Sequence, residues 1–403
     1  MTRAPNQKAT RSAGLAGGFS LVEVMIALLI GTLLLAGLVQ VFGGSRAAYQ
    51  AAEGISRNQE NGRFALDFLQ RELRMAGHFG CVNDQARLLN SADQFTLAYA
   101  GAGTEAAYSA EAWPLRFNIS LQGYEANGTA PGDAITLPAT PAVAGVGGGN
   151  NWSPVLPGDL AARAIPGSDV LVLRYLLAQS LPVQAISAGA APTVTFDAAR
   201  WDVLAAGVDT PNLFAVTDCA FTTVFAGTRS AAPGNQIIAD VPAGDIGFRE
   251  LYQPDRATLH RAESVAFYVG IGASGEPALM RCRATDTSGL CQEEELVEGI
   301  ESLQLVFGVS RVANDRPTGY IQTVRTAAVL GDAATNAAAR AEWRLVGATQ
   351  VGLLVRSPTR VQALDRTLPY SVLGLDVTAP AGDQRQRAVY ESTVALRNRL
   401  FGN

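Results

Sequence analysis

The sequence predicts an α+β protein in which one long amino-terminal helix carries a β-rich carboxy-terminal head, and three observations predict it. From Val24 to Ser45 there are 22 residues with no charge and no proline, and a helix rising about 1.5 Å per residue needs only about 20 to cross a hydrocarbon core. Beyond Ser45 the helical period continues in amphipathic form. After Gly77, short runs rich in β-branched residues alternate with Gly, Pro and Asn, the pattern of strands and turns.

The helix is preceded by a short leader, residues 1–18, holding Arg3, Lys8 and Arg11 and no acid. Under the positive-inside rule this places the amino terminus in the cytoplasm and everything past the helix outside it. A secretory signal would keep its cleavage site beyond the apolar run, after small residues in an A-x-A pattern. The residues there are Phe42-Gly43-Gly44-Ser45-Arg46, which fit poorly. A plain membrane anchor gives no reason for Glu23, because an acid within an apolar span costs about 2.5 to 3.5 kcal/mol at mid-membrane and less near the interface.

Gly18-Phe19, then Ser20-Leu21-Val22-Glu23 and an unbroken apolar run, resembles the class III signal of type IV prepilins and pseudopilins. The resemblance implies cleavage between Gly18 and Phe19 by a prepilin peptidase on the cytoplasmic side, and methylation of the new amine on Phe19. It also implies that the helix stays with the mature chain. Glu23 matches the acid thought, in that superfamily, to pair with the terminal ammonium of a neighbouring subunit during assembly. The pairing makes physical sense, since a carboxylate and an ammonium in low dielectric attract strongly and each relieves the other's desolvation.

Residues 19–45 are thus expected to be a transmembrane helix and 46–77 its amphipathic continuation. Tyr49, Ala52, Ile55, Gln59, Gly62, Leu66, Leu69, Leu73 and Ala76 recur at three or four residues as the inward stripe, and Gly77 offers a stop. From Phe19 to Ala76 the helix has 58 residues, about 87 Å at full extension. Gly31, Gly37, Gly43, Gly44, Gly54 and Gly62 are points where it could bend.

Residues 78–403 are expected to form the head. Strands are predicted at Asp169–Leu176, Thr193–Phe196, Leu213–Thr217, Ala220–Phe225, Glu263–Ile271, Ala278–Arg283, Ile300–Val309 and Leu345–Val355. The Ala, Gly, Pro and Asn run near 139–168 reads as an exposed loop insertion unable to build a core.

At 403 residues, 48% hydrophobic and 17% charged, the chain has ample material for a core. Lys8 is its only lysine, and losing the leader would change 31 cations against 36 acids to 28 against 36. So acidic a balance speaks against general nucleic-acid binding. Cys81, Cys219, Cys282 and Cys291 are an even set in a chain expected to face an oxidising compartment, which favours two disulfides over free thiols. Three pairings are open. Cys282 and Cys291 flank the turn-rich Asp286-Thr287-Ser288-Gly289 and suit a local loop, which leaves Cys81 with Cys219. A zinc site is disfavoured, because there is no CxxC pair and neither His78 nor His260 has ligand spacing to the cysteines.

Downstream segments extend the resemblance. Phe64-Ala65-Leu66 through Arg71-Glu72-Leu73-Arg74-Met75-Ala76-Gly77, Thr217-Asp218-Cys219, Glu295-Leu296-Val297-Glu298-Gly299-Ile300-Glu301, and Tyr390-Glu391-Ser392-Thr393-Val394-Ala395-Leu396-Arg397-Asn398-Arg399 are similar to the PilW family of minor pilins. That likeness implies a type IV pilin-like fold and an inner-membrane, single-pass protein with its head in the periplasm. It implies a non-enzymatic role in priming or capping the pilus, at its tip, with other minor pilins, the major pilin and a tip adhesin as partners. The alternatives are a J-like pseudopilin of type II secretion and a DNA-binding competence pilin.

No catalytic constellation or cofactor motif emerges. Gly270-Ile271-Gly272-Ala273-Ser274-Gly275 matches G-x-G-x-x-G after a predicted strand, but a dinucleotide site needs a helix at the third glycine. Glu276-Pro277 intervenes, so a hairpin turn is expected. The acids Glu293, Glu294, Glu295, Glu298 and Glu301 lack the spacing of a calcium loop and read as a solvated face. From Arg356 to the end, seven arginines stand against four acids, and interface salt bridges or solvation explain them better than DNA contact.

Overall fold

The computed structural model describes residues 18–80, 95–98, 109, 111–187, 191–218, 220–240, 252–313, 316–360 and 368–399. The chain divides into two compact units, Met1–Glu53 and Gly54–Asn403. Helix α1, Leu21–Met75, begins in the first and ends in the second.

In the first unit α1 is an apolar rod. Its large side chains from Leu21 to Phe42 are all exposed, and the span passes for a membrane helix by length and composition. The glycines do not interrupt it: Gly31, Gly37, Gly43 and Gly44 are all helical, and nothing lies within 4 Å of where their Cβ atoms would be.

In the second unit α1 buries one stripe: Gly54, Asn58, Gly62, Ala65, Leu69 and Leu73. This corrects the expected stripe over its first turns, because Ile55 and Gln59 face outward. Close approach decides the register. A Cβ on Gly62 would stand 2.5 Å from the Tyr390 ring, so small residues take the contact and bulkier ones are turned away. The helix stops where expected, with Gly77 in the left-handed region at φ 73.

The described strands begin with β1 Phe95–Leu97, β2 Leu121–Ala126, β3 Ala134–Thr136, β4 Trp152–Ser153, β5 Val170–Pro182 and β6 Ala185–Ile186. Then come β7 Thr193–Thr195, β8 Leu213–Thr217, β9 Thr222–Arg229, β10 Gln236–Asp240, β11 Thr258–Ile271, β12 Pro277–Ala284 and β13 Gln292–Glu298. The last are β14 Ile300–Ala313, β15 Arg316–Arg325, β16 Val346–Arg360, β17 Tyr370–Val372, β18 Leu375–Thr378 and β19 Arg385–Ala395. All eight expected strands are present, as β5, β7, β8, β9, β11, β12, β14 and β16, and the other described strands are additions. The architecture is therefore the predicted long helix followed by a β-rich domain.

A large sheet runs β4-β2-β5-β11-β8-β9-β10-β7-β6, with β12 on β11, β13 on β12 and β1 parallel to β9. A second sheet is ordered β15-β14-β16-β19, and a small one β17-β18-β3. The main core gathers Leu69 and Leu73 of α1, Leu171, Leu173, Phe267 and Val269 of the large sheet, and Leu303, Phe307 and Leu353 of the second. Trp343 closes it edge-on to Phe307, with ring centroids 4.9 Å apart.

The run 139–168 needs a correction. Its first part is largely exposed, but Trp152, Leu156, Leu160, Ala161 and Ala164 are buried against Val170, Tyr268 and Met280 in a core of their own. Small residues around these side chains let the chain fold tightly, and the indole nitrogen of Trp152 donates to Ser168 O at 2.8 Å.

Candidate functional site

Gly18, Phe19 and Ser20 precede the helix in exposed, non-helical conformation. Ser20 Oγ accepts from the Glu23 N–H at 3.3 Å, and Glu23 Oε2 accepts from the Ser20 N–H at 3.2 Å. This reciprocal pair is a capping box, satisfying two donors that the first turn would otherwise leave without partners. It gives Glu23 a local task at the start of the helix, beside the inter-subunit pairing that the resemblance implies. The signal was present as Ser-x-x-Glu at the start of an apolar run. The carboxylate also lies in the first turn, where the helix dipole favours negative charge.

Along its second half α1 is bonded to the strands that follow it. Asn58 Nδ2 donates to Gln386 O at 3.0 Å, Asn61 Nδ2 to Glu298 O at 3.0 Å and Gln70 Nε2 to Ser392 Oγ at 2.9 Å. Near its end, Glu72 meets Tyr175 of β5 and Arg281 of β12. Burial raises the Glu72 carboxyl above the usual carboxylate range, against the pull of the Tyr175 hydroxyl, and it drives the Tyr175 phenol well above its ordinary value.

Two clefts flank this part of the helix. One of ≈ 670 Å3 is lined by Arg57, Asn61, Phe68, Glu276, Arg356 and Arg385 among others. The other, ≈ 1030 Å3, lies over Gln59, Arg63, Asp67, Gln70 and Tyr390. Phe64, which is 52% exposed, borders both.

Four arginines of the carboxy-terminal block, Arg356, Arg385, Arg387 and Arg399, turn inward, while Arg360 and Arg397 are exposed. Arg356 pairs with Glu276 and, at 2.9 Å, with Glu301; Arg385 pairs with Glu276 at 2.9 Å; Arg387 contacts Glu301 and Asp383, each at 2.5 Å. Arg399 is buried and donates to Trp343 O. Burial pushes the Arg356 guanidinium down to about 10, with repulsion from Arg385 and Arg387 adding to it. It raises the Glu301 carboxyl, which Arg387 opposes. The solvated-face reading therefore holds for Glu293, Glu294 and Glu295, which are exposed on β13, and fails for Glu301.

Cys282 and Cys291 are disulfide-bonded, with Cα atoms 5.3 Å apart, closing the turn-rich loop between β12 and β13. Cys81 and Cys219 lie outside the described residues. The glycine motif is a hairpin turn: Ile271 pairs with Pro277, Gly275 has φ 80, and the Ala273 N–H donates to Glu295 Oε2 at 2.7 Å. His78 and His260 approach with ring centroids 6.1 Å apart, and each Nδ1 lies 2.8 Å from a carbonyl of β5. Burial lowers the pKa of His260. Among the described residues no group of three or more His, Cys, Asp or Glu could hold a metal.

Residues 266–398 match the family model PilW, described as Type IV Pilus-assembly protein W. The match begins inside β11 and ends just beyond β19, so the likeness to PilW is matched by a family model across the C-terminal strands, where the segments at 295–301 and 390–398 lie, while those at 64–77 and 217–219 fall outside it. No curated protein matches the chain. Among solved structures, a type IV-like pilin, TTHA1219 from Thermus thermophilus, aligns at 14% identity over 48% of this chain and 86% of that chain, with a TM-score of 0.21. The family match links the carboxy-terminal strands to type IV pilus assembly, and the N-terminal apolar helix is suited to a membrane anchor by length and composition.

Proposed function

We propose that this protein is a minor pilin of type IV pilus assembly, held in the inner membrane by α1 with its head in the periplasm, and that it primes or caps the filament. The observation that carries the reading is the conjunction of the Gly18–Phe19 junction and the exposed apolar α1 with carboxy-terminal strands that match a pilus-assembly family. In this reading a prepilin peptidase cuts after Gly18, Phe19 is methylated, and the helix remains. Ser20 N–H, which Glu23 already reaches, is one residue from the nitrogen that cleavage frees. Glu23 then gives up its capping contact in exchange for the ammonium of an assembling subunit. The head selects its partners, namely other minor pilins, the major pilin and a tip adhesin, through surface contacts whose centre excludes water.

Deletion of the gene tests this directly. Surface pili and pilus-driven twitching are expected to fall sharply while the major pilin is still made and processed, and Phe19–Ala76 expressed without the head is not expected to restore them. Undiminished pili with blocked enzyme secretion would instead assign the protein to type II secretion as a J-like pseudopilin.

A further inference from the structure

Tyr175 of β5 lies between two carboxylates. Its Oη is within hydrogen-bond reach of Glu72 Oε2 on α1 and is 2.9 Å from Glu263 Oε1 on β11. A phenol brings one hydrogen, and an ionised carboxylate only accepts. Two oxygen–oxygen contacts of hydrogen-bond length therefore need a second hydrogen, which a carboxyl group must hold.

The surrounding charges point the same way. Glu263 Oε2 is 3.0 Å from Arg261 Nη2, while Arg281 of β12 is 3.3 Å from Glu72 Oε1 and 2.7 Å from Glu294 Oε2 on β13. Arg71 of α1 and Arg283 of β12 act on the group from further out. Within direct contact, two guanidiniums face three carboxylates, so one added proton makes the cluster neutral. Glu72, Glu263, Arg261 and Arg281 are each largely or wholly removed from solvent, where an uncompensated charge is costly.

We propose that this cluster is a proton-operated clasp: a proton held among Glu72, Tyr175 and Glu263 fastens the end of α1 to the sheet, and its loss loosens that end. The proposal does not depend on the pilus reading. Its sign follows from the direction of the Glu72 shift. A carboxyl whose folded pKa is raised stabilises the docked helix fully below the unfolded carboxylate pKa and loses that stabilisation as pH rises through the folded value.

Hydrogen exchange on the full chain in detergent micelles, read at the α1 amides from Ala65 to Met75 across a series from mildly acid to mildly alkaline pH and corrected for intrinsic rates, tests the clasp. Between the carboxylate pKa of the opened end and the raised pKa of the docked cluster, the local opening constant is expected to rise by up to about tenfold per pH unit, the signature of one proton released on opening, and to level off above that range. Amides of β14 from Leu303 to Phe307 should not follow it. Glu72→Gln, which keeps an amide in place of the protonated carboxyl, should flatten the dependence. An equal slope in that variant, or no local slope in the wild type, overturns the proposal. Infrared spectra with 13C-labelled glutamate need no variant: a protonated glutamate carboxyl band should persist above the ordinary carboxylate range and be lost over the pH at which the rise in α1 opening levels off, and the absence of such a band throughout the range where opening rises would also overturn the clasp.

Discussion

Helix α1 is written in two styles. From Leu21 to Phe42 every large side chain is exposed and, Glu23 and Gln40 apart, apolar, and none of the apolar ones is buried against protein. From Gly54 to Met75 six positions are buried, and they are Gly, Asn, Gly, Ala, Leu and Leu. In the first stretch the surroundings need only be apolar on all sides, so bulk hydrophobicity suffices. In the second the helix must come close to β19, so backbone approach and hydrogen bonding choose the residues, and Ile55 and Phe64 are left outside. Hydrophobicity is a good guide to a helix for lipid and a poorer one to a helix for a sheet.

Charge removal should break this contrast most strongly. Arg387→Leu takes from Glu301 the guanidinium that contacts both of its oxygens, leaving a buried carboxylate with Arg356 alone. Loss of one member of a buried ion pair costs about 3–5 kcal/mol. Arg46→Leu, at an exposed site in the first unit, should stay within about 0.5 kcal/mol. Denaturant unfolding in micelles, followed by the fluorescence of Trp113, Trp152, Trp201 and Trp343, compares the two. Equal effects would remove the distinction.

A smaller difference is expected at glycines. Gly62→Leu overpacks the Tyr390 ring at a cost of about 1–3 kcal/mol, against a gain in helix propensity of about 1 kcal/mol. Gly37→Leu meets nothing within 4 Å and should keep only the gain. The same unfolding assay, with circular dichroism at the helix signal, separates them; destabilisation at Gly37 matching that at Gly62 would sink the packing explanation.

What was legible in the sequence follows the same division. The apolar helix, its stop at Gly77, the strands rich in β-branched residues and the β11–β12 hairpin were all readable, because each is decided by neighbours in the chain. Strands β13 and β19 were not. Their residues are polar, and what stabilises them as strands lies far away: Glu294 opposite Arg281, and Arg387 against Glu301. Glu301 was misread for that reason, since its cations are at positions 356 and 387. Trp152, Leu156 and Leu160 were hidden among small residues and reach a core only through β5, β11 and β12. The capping box was visible throughout, but attention to Glu23 as a costly acid passed over Ser20.

A helix that is kept, with processing in front of it, is the central expectation. Peptide mass mapping of the chain isolated from membranes measures this most directly. The predicted amino-terminal peptide begins at Phe19 and carries one methyl group, and Gly18→Arg should leave the precursor uncut. A mature chain beginning beyond Ser45, with the apolar span removed, or a wild-type chain still beginning at Met1, would contradict the account.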